Sequence, residues 1–462
     1  MTYIFTGKKI LVAGGGVTGT AVARALASRG ASIIIVDENQ HLDIDFTVLA
    51  PSSIDIKDYY AVVVSPGWKP THPIVVAAIE SGMQIWNEID LAWEISREIS
   101  PQQKWLALTG TNGKTTTVEM AASMLQSAGL RAAACGNVGD TVIDAVIHSD
   151  SFDYLILELS SFQLHWMQHA KFTSIAILNL ADDHLDWHGS FDNYCRAKFS
   201  LLEHAEVAIL NADDSEVMQR AHSWPGQKIF FTLETPGVGE LGVVEDLLVD
   251  RAFVRDPQEA SMIAQLNDIQ PTLPHSVSNA LAAAGLALSV GVSHQDIQKA
   301  LIAFHPGRHR IEVVLSEDEI SWIDDSKATN PHAAAASIMS HLSVIWIAGG
   351  MAKGADMNSL IDRVKSRLKA AILIGEDRAL IETALHNLAP KIPIIKVDTD
   401  FPKSGPSNDL MEKVVEAAKV LAEPGDTVLM APACASMDQF VSYADRGDRF
   451  ATAVKKLVKN EK

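Results

Sequence analysis

Short β-branched runs alternate with helical patterns along almost the whole chain. ILVAG, SIIIVD, AVVVSPG, YLILELS, SIAILNL, VAILNAD, VIWIAGG, AAILIGE and TVLMAPA are separated by stretches of helical spacing. That alternation is the signature of α/β folds with mainly parallel sheets. A chain of 462 residues has room for two to four such domains. Polar SPQQK, near Ile99 to Gln103, and HPGRH, near His305 to His309, interrupt the pattern. We therefore expect three α/β domains: 1–101 Rossmann-like, 102–306 built around a phosphate loop, and 307–462 again Rossmann-like. Within the middle one, Thr235 to Thr272 reads as extra antiparallel strands and loops. No internal repeat or low-complexity tract is evident.

The formal net charge is -19, which argues against nucleic-acid binding and against docking on anionic membranes. An anionic substrate must then be drawn in by local lysines, arginines and backbone N–H groups. Cys135, Cys195 and Cys434 are few, odd in number and far apart, as free thiols in a reducing, cytoplasmic compartment would be. Lys8-Lys9 ahead of ILVAGGGVTGTAVA superficially resembles a signal peptide, but its glycines and threonines fit a strand-turn-helix better. No run approaches the roughly 18 apolar residues of a membrane span. Ala280 to Val292 reads as a core helix.

The sharpest motif is TGTNGKTTT, Thr109 to Thr117, after the apolar strand WLALTG. Gly110 and Gly113, around Thr111 and Asn112, let backbone N–H groups turn toward an anion. Lys114 supplies a charge for the β- and γ-phosphates, Thr115 a hydroxyl for Mg²⁺, and the helix from Thr116 its dipole. Leu108 stands where the strict pattern has glycine.

A second turn, Gly14-x-Gly16-x-x-Gly19, follows the first strand and opens a helix, with Asp37 about 20 residues on. Alone, this pattern suggests a dinucleotide. The turn Ser65-Pro66-Gly67 should face the same crevice.

Glu158 ends the strand YLILE, a position from which α/β nucleotide enzymes hold Mg²⁺. The next strand runs into Asp182-Asp183-His184-Leu185-Asp186, and Lys198 lies on the helix beyond. An ammonium cannot ligate a cation, but a lysine carbamate can. Toward the C-terminus come HRIEVV with Arg310, and WIDDSKATNP with Asn330 as N-cap and Pro331 opening a helix. Met351-Ala352-Lys353-Gly354 and Ala431 to Ser436, ahead of Tyr443, complete three strand-end loops that suggest a small-anion site.

GTNGKTTT, GNVG, NLADDHLDWHG with Lys198, SNALAA, GRHR and DDSKATNP occur in the order found in the Mur ligases, and the resemblance covers essentially the whole chain. ELSSFQL and APACASMDQF are similar to the D-glutamate-adding branch of that family. The resemblance implies an ATP-dependent ligase that adds D-glutamate to UDP-N-acetylmuramoyl-L-alanine through an acyl phosphate, as a monomer. The UDP substrate would lie on Gly16, Val17, Thr18, Asp37, Ser65 and Gly67, with Asn137 and His184 near its L-alanine end. Gly110 to Thr116, Asn279, Arg310 and Asp325 would face ATP. Thr115 and Glu158 would hold one Mg²⁺, and Glu158, His184 and carbamylated Lys198 a second. Lys114, His184, Lys198 and Lys327 would serve catalysis. Thr329, Lys353, Ser436 and Tyr443 would surround D-glutamate, Tyr443 standing where the family pattern has phenylalanine. Glu38 lies where the family varies in its uracil contacts.

Rival readings are a folylpolyglutamate-type ligase, which should lack the complete N-terminal domain, and an NAD-dependent oxidoreductase, which leaves the phosphate loop unexplained. A non-catalytic nucleotide switch would show no ADP release dependent on an amino acid.

Overall fold

A computed structural model describes residues 4–149, 151–256, 258–397 and 410–458. They form an α/β fold with sheets of five, nine and six strands. The first sheet runs Val48–Leu49, Ser32–Val36, Lys9–Ala13, Ala61–Val64, Gln84–Trp86, and all its pairs are parallel. Strand order reverses direction at Lys9–Ala13, so a crevice opens past its carboxyl end.

The nine-stranded sheet places Lys104–Thr109 between Tyr154–Glu158 and Phe172–Ile177, all parallel. Ala132–Gly136 lies beyond Tyr154–Glu158, and Ala205–Asn211, Gln227–Phe231 and Glu240–Val244 extend the other side. Leu247–Asp250 and Ser261–Gln265 finish that side as antiparallel strands, within the stretch expected to be antiparallel. The helix Pro274–Ser289 is buried along most of its length, as its alanine-rich sequence requires.

The six-stranded sheet runs Glu312–Glu317, Ile320–Asp324, Thr427–Met430, Val344–Gly349, Leu368–Ile374, Ile394–Lys396; only the first pair is antiparallel. Its inner strands are apolar on both faces, because helices cover both.

By packing, the chain divides into two compact units: 1–180 with 189–304, and 181–188 with 305–462. The first contains both the five- and the nine-stranded sheets. Asp90 joins them directly. Buried at 1% exposure, its carboxylate accepts the backbone N–H groups of Gln168, His169 and Ala170 at 2.8, 2.8 and 2.9 Å. No described helix is long and apolar enough to cross a membrane.

Candidate active site

The loop after Lys104–Thr109 begins at Gly110, because Leu108 still belongs to the strand and is buried between Glu158 and Ala176. This explains the departure from the strict glycine pattern. Gly113 takes φ +83°, a left-handed conformation that glycine adopts without cost, and caps a helix that starts at Lys114, two residues earlier than the sequence suggests. A Cβ on Gly113 would run into the Asn279 amide, so this glycine lets Asn279 lie directly against the loop. Lys114 Nζ folds back and donates to the carbonyls of Gly110 and Thr111 at 2.9 and 2.8 Å. Thr115 is buried, and Thr116 follows it on the first turn.

Glu158 is 2% exposed at the end of the neighbouring strand. Its Oε1 accepts from Asn137 Nδ2 at 3.0 Å, while its Oε2 is buried without a hydrogen-bond partner. A buried carboxylate oxygen left unpaired is costly, and a cation is the partner its chemistry asks for. Lys198 is also 2% exposed. Its Nζ donates to the Gly110 carbonyl at 2.8 Å and to Thr109 Oγ1 at 3.2 Å, and sits 4.8 Å from the Tyr194 ring centroid. Gly110 to Thr116, Asn279, Asn137, Glu158 and Lys198 are thus gathered around neighbouring strand ends.

The first Gly-rich turn lies past Lys9–Ala13, with Gly16 capping the helix Val17–Ala27, which also carries Thr18. Asp37 accepts the N–H of Gly15 at 2.8 Å through one carboxylate oxygen and that of Asn39 at 2.9 Å through the other. Ser65 Oγ reaches the Gly14 carbonyl at 3.5 Å, so the loop holding Ser65 and Gly67 faces the same crevice. Glu38 is exposed and lies 3.9 Å from His72 Nε2.

His184 belongs to the segment grouped with the second unit; it has φ +53° and its Nε2 is 3.7 Å from Asp183 Oδ2. In the six-stranded sheet, Asp325 follows Ile320–Asp324. Burial pushes its carboxyl up to about 7, against the opposing pull of the Ile311 N–H and the Arg310 charge. Ile311, next to Arg310 in the chain, donates its N–H to Asp325 Oδ1 at 3.3 Å, so the two segments meet there. Lys327 Nζ lies 4.1 Å from the Tyr443 ring centroid. Asn330 caps the next helix by accepting from Ala333, with Pro331 in its first turn, as the sequence indicates, and Thr329 precedes the cap. Met351 and Ala435 exchange backbone hydrogen bonds at 2.9 Å, which joins the loop of exposed Lys353 to that of buried Ser436.

Family models match in two places: Mur ligase middle domain over residues 108–287, and Mur ligase, glutamate ligase domain over residues 309–434. Across its length the chain is 45% identical to the UDP-N-acetylmuramoylalanine--D-glutamate ligase of Streptomyces coelicolor, covering 98% of this chain and 99% of that one. The chain belongs to the Mur ligase family. Two solved Mur-type folds resemble it at low sequence identity. A pseudomurein peptide ligase type C from Methanothermus fervidus has TM-score 0.63 at 18% identity, covering 97% of this chain and 100% of that one. A MurF ligase from Thermotoga maritima, solved in complex with ADP, has TM-score 0.58 at 17% identity, covering 97% and 95%.

Two residues of this Mur ligase site escaped the sequence reading. Tyr194 hydrogen-bonds Thr111 Oγ1 at 2.9 Å and underlies Lys198. Its position one helical turn before Lys198 was the available signal. Asn179 binds the loop from behind: its Oδ1 accepts from the Asn112 N–H at 2.8 Å and its carbonyl from the Thr111 N–H at 2.9 Å. Its place at the end of SIAILNL was the hint.

Proposed function

We infer that this chain is an ATP-dependent ligase that adds D-glutamate to UDP-N-acetylmuramoyl-L-alanine in peptidoglycan precursor synthesis. The observation that carries the reading is the phosphate loop with Lys114 beside the half-unpaired carboxylate of Glu158, in a chain 45% identical end to end to a D-glutamate ligase. Its partners are small molecules, and we take it to work as a cytoplasmic monomer. The division into 1–101, 102–306 and 307–462 follows the three substrates: UDP-sugar, ATP and amino acid.

A carboxylate does not acylate an amine in neutral water, so it must first be activated. The L-alanine carboxylate of the substrate attacks the γ-phosphorus of ATP, ADP leaves, and an acyl phosphate forms. Lys114 releases its loop carbonyls and offsets the charge that builds on the transferring phosphoryl group. Thr115 and Glu158 would hold Mg²⁺, which when bound neutralises phosphate charge. A carbamate on Lys198 would turn a buried donor into an acceptor, as a second cation requires. The amine of D-glutamate then attacks the acyl carbon, loses a proton, and the tetrahedral intermediate collapses to amide and phosphate. Thr329, Lys353, Ser436 and Tyr443 are the groups assigned to the amino acid, and Lys327 would lie close to the reacting groups.

The test is phosphate release from ATP and UDP-N-acetylmuramoyl-L-alanine across a panel of amino acids. D-glutamate should support turnover, while L-glutamate, L-alanine, L-lysine and diaminopimelate should support little. Equal turnover with L-lysine or diaminopimelate would remove the assignment.

A further inference from the structure

Arg446 is a buried charge that hydrogen-bonds to no carboxylate among the described residues. It lies in the first turns of the helix Tyr443–Leu457 and is 0% exposed. Nε donates to Ser326 Oγ at 2.9 Å and Nη2 to the Ser326 carbonyl at 3.0 Å. Nη1 is shared between the carbonyls of Cys434 at 3.2 Å and Gly349 at 3.5 Å. Ser326 Oγ donates in turn to the Tyr443 carbonyl at 2.7 Å, which ties the network back to the helix. Burial lowers the guanidinium to about 10, while the charges of Asp438 and Asp324 pull the other way, so it stays protonated at neutral pH.

The three carbonyls lie at or just past the ends of three different strands. Ser326 follows Ile320–Asp324, Cys434 follows Thr427–Met430, and Gly349 ends Val344–Gly349, three adjacent parallel strands. Thr329 comes just past Ser326, Ser436 just past Cys434, and Lys353 just past Gly349. An apolar side chain would fill this space without the desolvation cost of a charge. What it could not do is hold three strand ends at once in the fixed geometry of a planar fork.

We propose that Arg446 is the positioning residue of the amino-acid site, its guanidinium setting the spacing of the loops that carry Thr329, Ser436 and Lys353. Donors for the two carboxylates of D-glutamate are then in place before it arrives, and little binding energy is lost in ordering them. The inference rests on the assignment of these loops to D-glutamate.

The experiment compares full-length wild type with Arg446→Lys and Arg446→Met. It reads KM for D-glutamate, kcat, calorimetric binding of UDP-N-acetylmuramoyl-L-alanine, and thermal unfolding. Lysine keeps the charge but not the fork. The KM for D-glutamate should rise about tenfold in Arg446→Lys, the scale of one lost charged hydrogen bond, and further in Arg446→Met. In the lysine variant, kcat at saturating D-glutamate and binding of the UDP-sugar substrate should stay close to wild type. A merely structural arginine would instead lower the folded fraction, and kcat with it, at unchanged KM. That pattern, or a lysine variant with wild-type KM, overturns the proposal. Should Arg446→Met not fold, Arg446→Lys alone decides. A wild type that does not turn over D-glutamate overturns the assignment of the loops themselves, and the inference with it.

Discussion

Two turns in the first compact unit share one plan and differ in charge. Each follows a parallel strand, caps a helix with glycine and opens at a reversal of strand order. At the first, Asp37 binds the Gly15 N–H at 2.8 Å, so a carboxylate sits in the mouth of the turn. At the second, a neutral amide, Asn179, supports the loop and Lys114 brings an ammonium. Geometry alone would let either turn meet a phosphate. The charge decides which part of a ligand each can hold. The Asp37 turn suits hydroxyl or N–H donors of a ribose or base, and the Lys114 loop suits a triphosphate.

The largest effect should come from the lysine that backs the second loop. Lys198→Ala should leave almost no phosphate release. If the working form of Lys198 is a carbamate, acetate added to the variant should restore part of the activity, while ethylammonium should not. Rescue by ethylammonium alone would show that the ammonium is what the site needs. Lys114→Ala should follow, with turnover reduced roughly a hundredfold or more, in the range seen when a major electrostatic stabiliser is removed. Circular dichroism should show its fold intact. A Lys114→Ala enzyme with near wild-type turnover would erase the distinction drawn between the two turns.

At the first turn the expected loss is smaller and of another kind. Asp37→Ala removes a charged hydrogen bond to the backbone, typically worth about 1.5–3 kcal/mol. The KM for the UDP-sugar should rise by roughly ten- to a hundredfold on the usual conversion, with the KM for ATP little changed. If the ATP term moves as much, the two crevices are not separate sites.

The local parts of this picture were legible in the sequence. Strand, glycine turn and helix lie within a few residues of one another, so the turns at Gly14 and Gly110 could be read directly. So could the Asn330-Pro331 helix start and the antiparallel strands after Thr235. Partners from distant segments could not. Helical spacing puts Lys198 on a face with Tyr194, but nothing local says that this face packs under Thr109 and Gly110. Nor does anything local in SPQQK say that the helix just before it, Glu88–Ile99, is fastened to the next sheet by buried polar groups.

That fastening offers the smallest and most specific test, since it decides whether the two turns are carried by one body. Glu88, 2% exposed at the start of the helix Glu88–Ile99, accepts the N–H of Ile143 at 3.1 Å from the helix Val142–Ile147 of the nine-stranded sheet. Burial pushes its carboxyl up from 4.5 to about 7, more than the N–H groups of Ile143 and Val142 pull it down. The folded state therefore binds the proton more tightly than the unfolded chain does. The stability this gives is fully present below pH 4.5 and is lost as pH rises through about 7. Glu88→Gln keeps an oxygen to accept the N–H and removes the titration. At pH 8 the variant should unfold at a temperature higher than wild type by on the order of a few degrees, and at pH 5 the difference should shrink or reverse. Turnover at neutral pH should be unchanged, since Glu88 lies in neither turn. Thermal unfolding of both proteins from pH 5 to 8 measures this. A difference between them that does not vary with pH would mean that Glu88 does not titrate in this window.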